Sequence, residues 1–189
     1  MTDNVILCGV GGQGTVLASK LLAAAAMDRG LPVKTAETIG MAQRGGSVFS
    51  HVRMGEGAAS PLIGRGRADL IIAFEPAEAV RQLPYLRPGG TVVVSDRPVV
   101  PVSATVGGPA YDLDAIMDYL RATVPNLVVI DAQRAAEELG STKCLNVVLL
   151  GAATRAGALG LTTDDVERAV RNMVPERFLD LNLRALSWE

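Results

Sequence analysis

The segment Gly9-Val10-Gly11-Gly12-Gln13-Gly14 limits the folds open to this chain more than any other. A short apolar run, Asn4 to Cys8, precedes it, and an alanine-rich apolar stretch, Val16 to Met27, follows it. The first has the length of a buried strand. The second sets Leu17, Leu21 and Leu22 at helical spacing and ends near Gly30, a residue suited to a helix C-terminus. Glycine between strand and helix permits positive φ and lets the backbone approach a neighbour or a phosphate closely. The start of the helix then offers unpaired N–H groups and partial positive charge to an anion. With a second strand at Leu31 to Glu37, the chain begins as β–turn–α–β.

Glu37 stands 23 residues after Gly14, where a dinucleotide-binding fold keeps its ribose-binding acid. The residues after it, Thr38 to Gly46, do not begin the helix that such a fold would place there. Two readings of the glycine motif therefore stay open. One is the phosphate site of an NAD- or FAD-binding oxidoreductase domain. The other is a tight turn whose glycines serve helix–strand packing or contact with a partner subunit, in a non-catalytic scaffold.

A second glycine-bearing block, Gly40-Met41-Ala42-Gln43-Arg44-Gly45-Gly46-Ser47, leads into Ser47 to Met54. There Val48, Ser50, Val52 and Met54 alternate with Ser47, Phe49, His51 and Arg53, a period of two that predicts a strand. The tight connection suggests that it runs antiparallel. Arg44 beside Gly45, Gly46 and Ser47 can present a fork of donors and several backbone N–H groups to a phosphate or carboxylate. Both glycine blocks are expected at the carboxyl ends of adjacent strands, where α/β proteins bind ligands. His51 is open to two roles: a donor to substrate, or a partly buried group satisfied by backbone.

The rest of the chain continues the α/β pattern. Leu70 to Phe74 reads as a buried strand, and Pro76 opens a helix that ends near Leu86, ahead of the breaker Pro88-Gly89-Gly90. Thr91 to Ser95 is a strand, and Val99 to Val106 is extended, with Pro98 and Pro101 marking an edge. A helix at Leu113 to Thr123, a strand at Leu127 to Asp131 and a helix at Ala132 to Leu139 follow. The end is helical: Leu145 to Ala158, Asp164 to Met173, and a last piece from Glu176. Together these predict one domain spanning residues 1–189, a three-layer, Rossmann-like α/β fold with a mixed sheet and a helical C-terminal tail.

Composition narrows the function. The chain is 49% hydrophobic but 4% aromatic, so its core is aliphatic. A net charge of −2 with 18 basic residues argues against non-specific nucleic-acid binding. Two cysteines, Cys8 and Cys144, are too few for an iron–sulfur cluster, and one histidine excludes a multi-histidine metal site. No targeting or membrane-spanning segment is legible, which leads us to expect a cytoplasmic protein. Lys143 precedes a very apolar helix and can meet an anion or satisfy the helix start, and Cys144 reads as a small buried hydrophobe. No nucleophile–base pair is recognisable, so no catalytic residue and no metal ligand is assigned.

The motifs occur in a telling order. GVGGQG (Gly9 to Gly14) comes first, then GMAQRGGS with V-x-S-H-V-R (Val48, Ser50, His51, Val52, Arg53). K-x-x-N-x-x-x-L-G-A (Lys143, Asn146, Leu150, Gly151, Ala152) and N-L-x-A (Asn182, Leu183, Ala185) follow. This series resembles the gamma-type subunit of 2-oxoacid:ferredoxin oxidoreductases over essentially the full chain, the pattern being nearest to the beta (small) subunit of the indolepyruvate type. The resemblance implies a subunit, inactive alone, of a complex that converts an aryl pyruvate, CoA and oxidised ferredoxin into acyl-CoA, CO2 and reduced ferredoxin. It further implies that thiamine diphosphate and [4Fe-4S] clusters sit in a large partner subunit and that no cofactor binds this chain tightly. Under it, Gly9, Gly11, Gly12, Gln13 and Gly14, with Gln43, Arg44, Gly45, Gly46 and Ser47, would line the cleft for CoA or close the substrate channel. It implies neither a nucleic-acid nor a membrane partner.

Overall fold

A computed structural model of the chain describes residues 3–37, 45–57, 59–101 and 110–189. Six strands make one sheet: β1 (Asp3–Val10), β2 (Val33–Glu37), β3 (Ser47–Met54), β4 (Ala68–Ala73), β5 (Leu86–Ser95) and β6 (Asn126–Ile130). Their order is β2-β3-β1-β4-β5-β6. β3 pairs antiparallel with both β1 and β2, and the β1–β4, β4–β5 and β5–β6 pairs are parallel. The mixed sheet follows from one insertion: β3 returns between β1 and β2 and separates them.

Seven α-helices are described: α1 (Thr15–Asp28), α2 (Pro76–Gln82), α3 (Leu113–Thr123), α4 (Ala132–Leu139), α5 (Leu145–Arg155), α6 (Thr163–Met173) and α7 (Glu176–Leu186). Two aliphatic cores lie on the two faces of the sheet. Val5, Leu7, Val52, Leu70, Ile72 and Val93 pack under α1 and α4–α7, whereas Ile6, Cys8, Ile71, Ala73, Val92 and Val94 pack under α2 and α3. Each Val, Leu or Ile among them, fully buried, contributes roughly 1.5–3 kcal/mol. Phe74 is the one aromatic among the largest fully buried side chains. No helix among the described residues is long and apolar enough to cross a membrane.

The predicted elements recur with shifts that have local causes. α2 stops at Gln82, where Leu83–Tyr85 tightens into a 3-10 turn around Pro84. β5 starts at Leu86, five residues before the expected Thr91, and carries Pro88, Gly89 and Gly90 inside it. The β4–β5 register shifts across this stretch, and a bulge is where a strand tolerates a missing donor and a positive φ, here 72° at Gly89. Residues 96–101 have no regular structure, and the remainder of the extended segment expected at Val99 to Val106 lies outside the described residues. The helix expected at Leu145 to Ala158 ends at Arg155.

α5 is buried on nearly all sides because the sheet lies under it and α7 crosses over it. Gly151 sets that crossing: a Cβ there would overlap the carbonyl oxygen of Leu186. Gly151→Ala is therefore expected to lower stability by about 2 kcal/mol or more, read as a drop in the urea midpoint. A midpoint equal to that of the wild type would show that the α5–α7 contact is loose.

Candidate functional site

The strand order places a topological switch point between β1 and β4. α1 leaves β1 for one face of the sheet and α2 leaves β4 for the other, so their connecting loops part at the carboxyl ends of the strands. Gln13 bridges the parting. Its Oε1 accepts the Val10 N–H at 2.7 Å, and its Nε2 donates to the Phe74 carbonyl at 3.0 Å. Gly9 makes room for this: a Cβ there would lie 2.7 Å from Gln13 Oε1 and 2.9 Å from Phe74 Cβ. Gly14, at φ 86°, brings α1 against Asn146, whose Nδ2 would lie 2.9 Å from an added Cβ. Gly12, at φ 102°, faces open space.

The two glycine blocks meet. The Gly11 N–H donates to the Gly46 carbonyl at 2.8 Å, and the Gly45 N–H reaches the Gly11 carbonyl at 3.5 Å. The Ser47 hydroxyl donates to Glu78 at 2.6 Å. Gln43 and Arg44 lie outside the described residues.

Beside the bridge is a cleft of about 430 Å³ lined by Gly12, Gln13, Gly14, Leu17, Arg97, Val99, Thr142, Lys143, Leu145 and Asn146. Two helix N-termini border it, those of α1 and α5. Neither helix has a side-chain cap or an acidic residue in its first turn. By contrast α2, α3, α4 and α6 are capped by Glu75, Asp112, Asp131 and Thr162. A helix start without a side-chain cap keeps N–H groups and partial positive charge available to an anion, here apart from the Val147 N–H, which Asn146 Oδ1 accepts at 3.0 Å. Arg97 and Lys143, both exposed, add full positive charges. Arg97 was not anticipated from sequence: nothing in Ser95-Asp96-Arg97-Pro98 distinguishes it from any loop arginine until β5 brings it beside the α5 start.

The buried titratable groups serve structure. Burial, then the Coulomb effect of Glu78 and of Glu75, pushes the Cys8 thiol well above its ordinary range, and burial raises Cys144. Neither is a thiolate nucleophile at neutral pH. His51 is 3% exposed; its Nδ1 accepts the Ile63 N–H at 2.9 Å, pinning the connection before β4. Among the described residues, no group of three His, Cys, Asp or Glu is arranged to hold a metal ion.

The family model for pyruvate ferredoxin/flavodoxin oxidoreductases matches residues 4–187. The chain belongs to this family. It is 44% identical to the indolepyruvate oxidoreductase subunit IorB of Archaeoglobus fulgidus, over 98% of this chain and 92% of that protein. Its fold is similar to that of the gamma subunit of a keto/oxoacid ferredoxin oxidoreductase from Geobacter sulfurreducens, with a TM-score of 0.69 at 23% identity, covering 98% and 93% of the two chains. It also matches, with a TM-score of 0.69 and 22% identity, 30% of a chain of 2-oxoglutarate:ferredoxin oxidoreductase from Magnetococcus marinus, 98% of this chain being covered. This oxidoreductase-family chain is thus a small, gamma-type member.

In this family member Glu37 loses the position a ribose-binding acid needs. β3 stands between β2 and β1, and the Glu37 carboxylate accepts the Ser19 hydroxyl at 2.8 Å. His51 generates a pH prediction. Burial lowers its pKa from the ordinary 6.5, so the unfolded chain binds its proton more readily than the folded one. Stability should then fall as pH drops below about 6.5, by at most about 1.4 kcal/mol per pH unit. Urea unfolding of wild type and His51→Gln between pH 7.5 and 5.5 checks this. The variant should show the shallower loss; equal slopes would mean that His51 is free to protonate in the fold.

Proposed function

We propose that this chain is the small subunit of an indolepyruvate, or aryl pyruvate, ferredoxin oxidoreductase, and that it supplies the phosphate-binding side of the CoA cleft. One observation carries the cleft assignment: two uncapped helix starts, Arg97 and Lys143 converge on one hollow at the switch point. That is a set of donors and positive charge without a nucleophile or base, suited to holding an anionic handle. The 44% identity to an indolepyruvate oxidoreductase subunit supports the substrate, and the Magnetococcus marinus structure is described with CoA and succinyl-CoA bound.

In this reading the complex turns the 2-oxoacid, CoA and oxidised ferredoxin into acyl-CoA, CO2 and reduced ferredoxin, in the cytoplasm. Thiamine diphosphate and [4Fe-4S] clusters, held by a large partner subunit, supply the decarboxylation and electron-transfer chemistry. The donor set here fits that division: Cys8 and Cys144 lie in cores on opposite faces of the sheet. This chain's own work is binding and orientation. The α1 and α5 N–H groups with Lys143 and Arg97 hold phosphate oxygens, and Gln13 and the paired Gly11 and Gly46 keep the wall of the cleft in place. Gly45 and Ser47 adjoin that wall through the Gly46–Gly11 pair, and Gln43 and Arg44, outside the described residues, are assigned to it from the sequence alone.

In the assembled complex, Lys143→Ala, Arg97→Ala and Arg44→Ala should each raise the KM for CoA about tenfold, the loss of one charge-assisted hydrogen bond. The KM for the 2-oxoacid should stay within about twofold. If all three leave the CoA KM unchanged, the glycine loops serve only contact with the partner chain.

A further inference from the structure

Glu78 has no part in the reading above, yet it is a carboxylate only 2% exposed, in the first turn of α2. A buried carboxylate costs several kcal/mol unless it is well partnered. Capping does not account for it, because the α2 cap is Glu75, which accepts the Glu78 N–H at 2.9 Å. The Glu78 side chain instead reaches two ways. Oε1 accepts from Arg81, one turn on in the helix, and Oε2 accepts from the Ser47 hydroxyl at 2.6 Å.

Ser47 is the first residue of β3 and follows Gly45 and Gly46, whose backbone pairs with Gly11. α2 follows β4, and the Phe74 carbonyl at the end of β4 is the anchor of Gln13. The Ser47–Glu78 bond is therefore a second tie across the switch point, beside that of Gln13. Gln13 ties the first glycine block to β4, and Glu78 ties the second glycine block to the helix that leaves β4.

We propose that Glu78 is a positioning residue for the CoA cleft: it fixes the Gly45–Ser47 arm against the Gly9–Gly14 loop by accepting the Ser47 hydroxyl. The charge serves the geometry. An ionised carboxylate holds a hydroxyl donor more firmly than a neutral acceptor does, and Arg81, largely exposed, offsets part of the burial without crossing to the arm. This rests on the CoA reading of the cleft.

The test is a double-mutant cycle on the assembled complex, with KM for CoA and kcat measured separately. Ser47→Ala and Glu78→Ala should each raise the CoA KM about tenfold with kcat within about twofold. The double variant should be no worse than either single one, and Ser47→Thr, which keeps the hydroxyl, should restore the wild-type KM. A purely structural role would reduce the active fraction, hence the apparent kcat, and leave KM alone. If Glu78→Ala does not assemble, Glu78→Gln takes its place, keeping an acceptor but losing the charge, with a KM rise of about threefold. An unchanged KM in Ser47→Ala overturns the proposal. So do multiplying effects in the double variant, which would mean that Ser47 acts on the ligand directly. If Lys143→Ala raises the CoA KM and the Glu78 variants do not, the cleft assignment stands and the positioning role falls; if none does, the cleft assignment itself falls.

Discussion

The bridge made by Gln13 is the interaction on which the rest of the site depends. β1 and β4 are neighbours in the sheet, but the helices that follow them go to opposite faces. Their carboxyl ends would separate without a tie. One amide supplies both halves of it, accepting from Val10 and donating to the Phe74 carbonyl. Each bond is worth roughly 1 kcal/mol net, but leaving the half-buried backbone groups unpaired would cost more. Gly9 is required for the same reason, since any side chain there would occupy the space of the Gln13 amide. The glycine motif is thus first a packing device, and the open helix start behind it is a consequence.

That consequence is electrostatic. Four of the helices end their N-terminal dipoles on a carboxylate or hydroxyl from their own chain, whereas α1 and α5 leave theirs toward the cleft. Against a capped start this costs about 1 kcal/mol at α5, whose N-cap is Cys144, and only a few tenths at α1, whose N-cap is Gly14, offset by the extensive burial of both helices. The neighbouring hollow shares Arg97 and Thr142 but carries Asp96, Asp131 and Glu137. Asp96 and Asp131 there accept backbone N–H groups at the start of α4. The two hollows therefore divide by charge, with Arg97 at the boundary, and the more positive one, which we propose holds the anion, is beside the glycine loop.

Much of this was legible in the chain itself. The bounds of β3, α3 and α4 follow directly from period-two and helical patterning. Part of the family resemblance rests on residues that the structure brings together at the switch point, Gly9 to Gly14, Gly45 to Ser47, and Lys143 with Asn146. What was not legible depends on contacts distant in sequence. The early start of β5 hides behind Pro88-Gly89-Gly90 because a bulge is set by the partner strand, not by the residues in it. Gln13 reads as a ligand-binding residue in the motif, while its amide closes on Val10 and Phe74. The Ser47–Glu78 pair, 31 residues apart, and the place of Arg97 beside α5 appear only once the strand order is known.

The proposal that the uncapped starts of α1 and α5 hold the anionic end of CoA is decided by amide hydrogen exchange of the assembled complex, with and without saturating CoA. Binding should slow exchange at residues 12–17 and 143–147 and leave the capped starts of α3 and α6 unchanged. Unchanged exchange at both cleft segments, in a complex shown to be saturated with CoA, would contradict it.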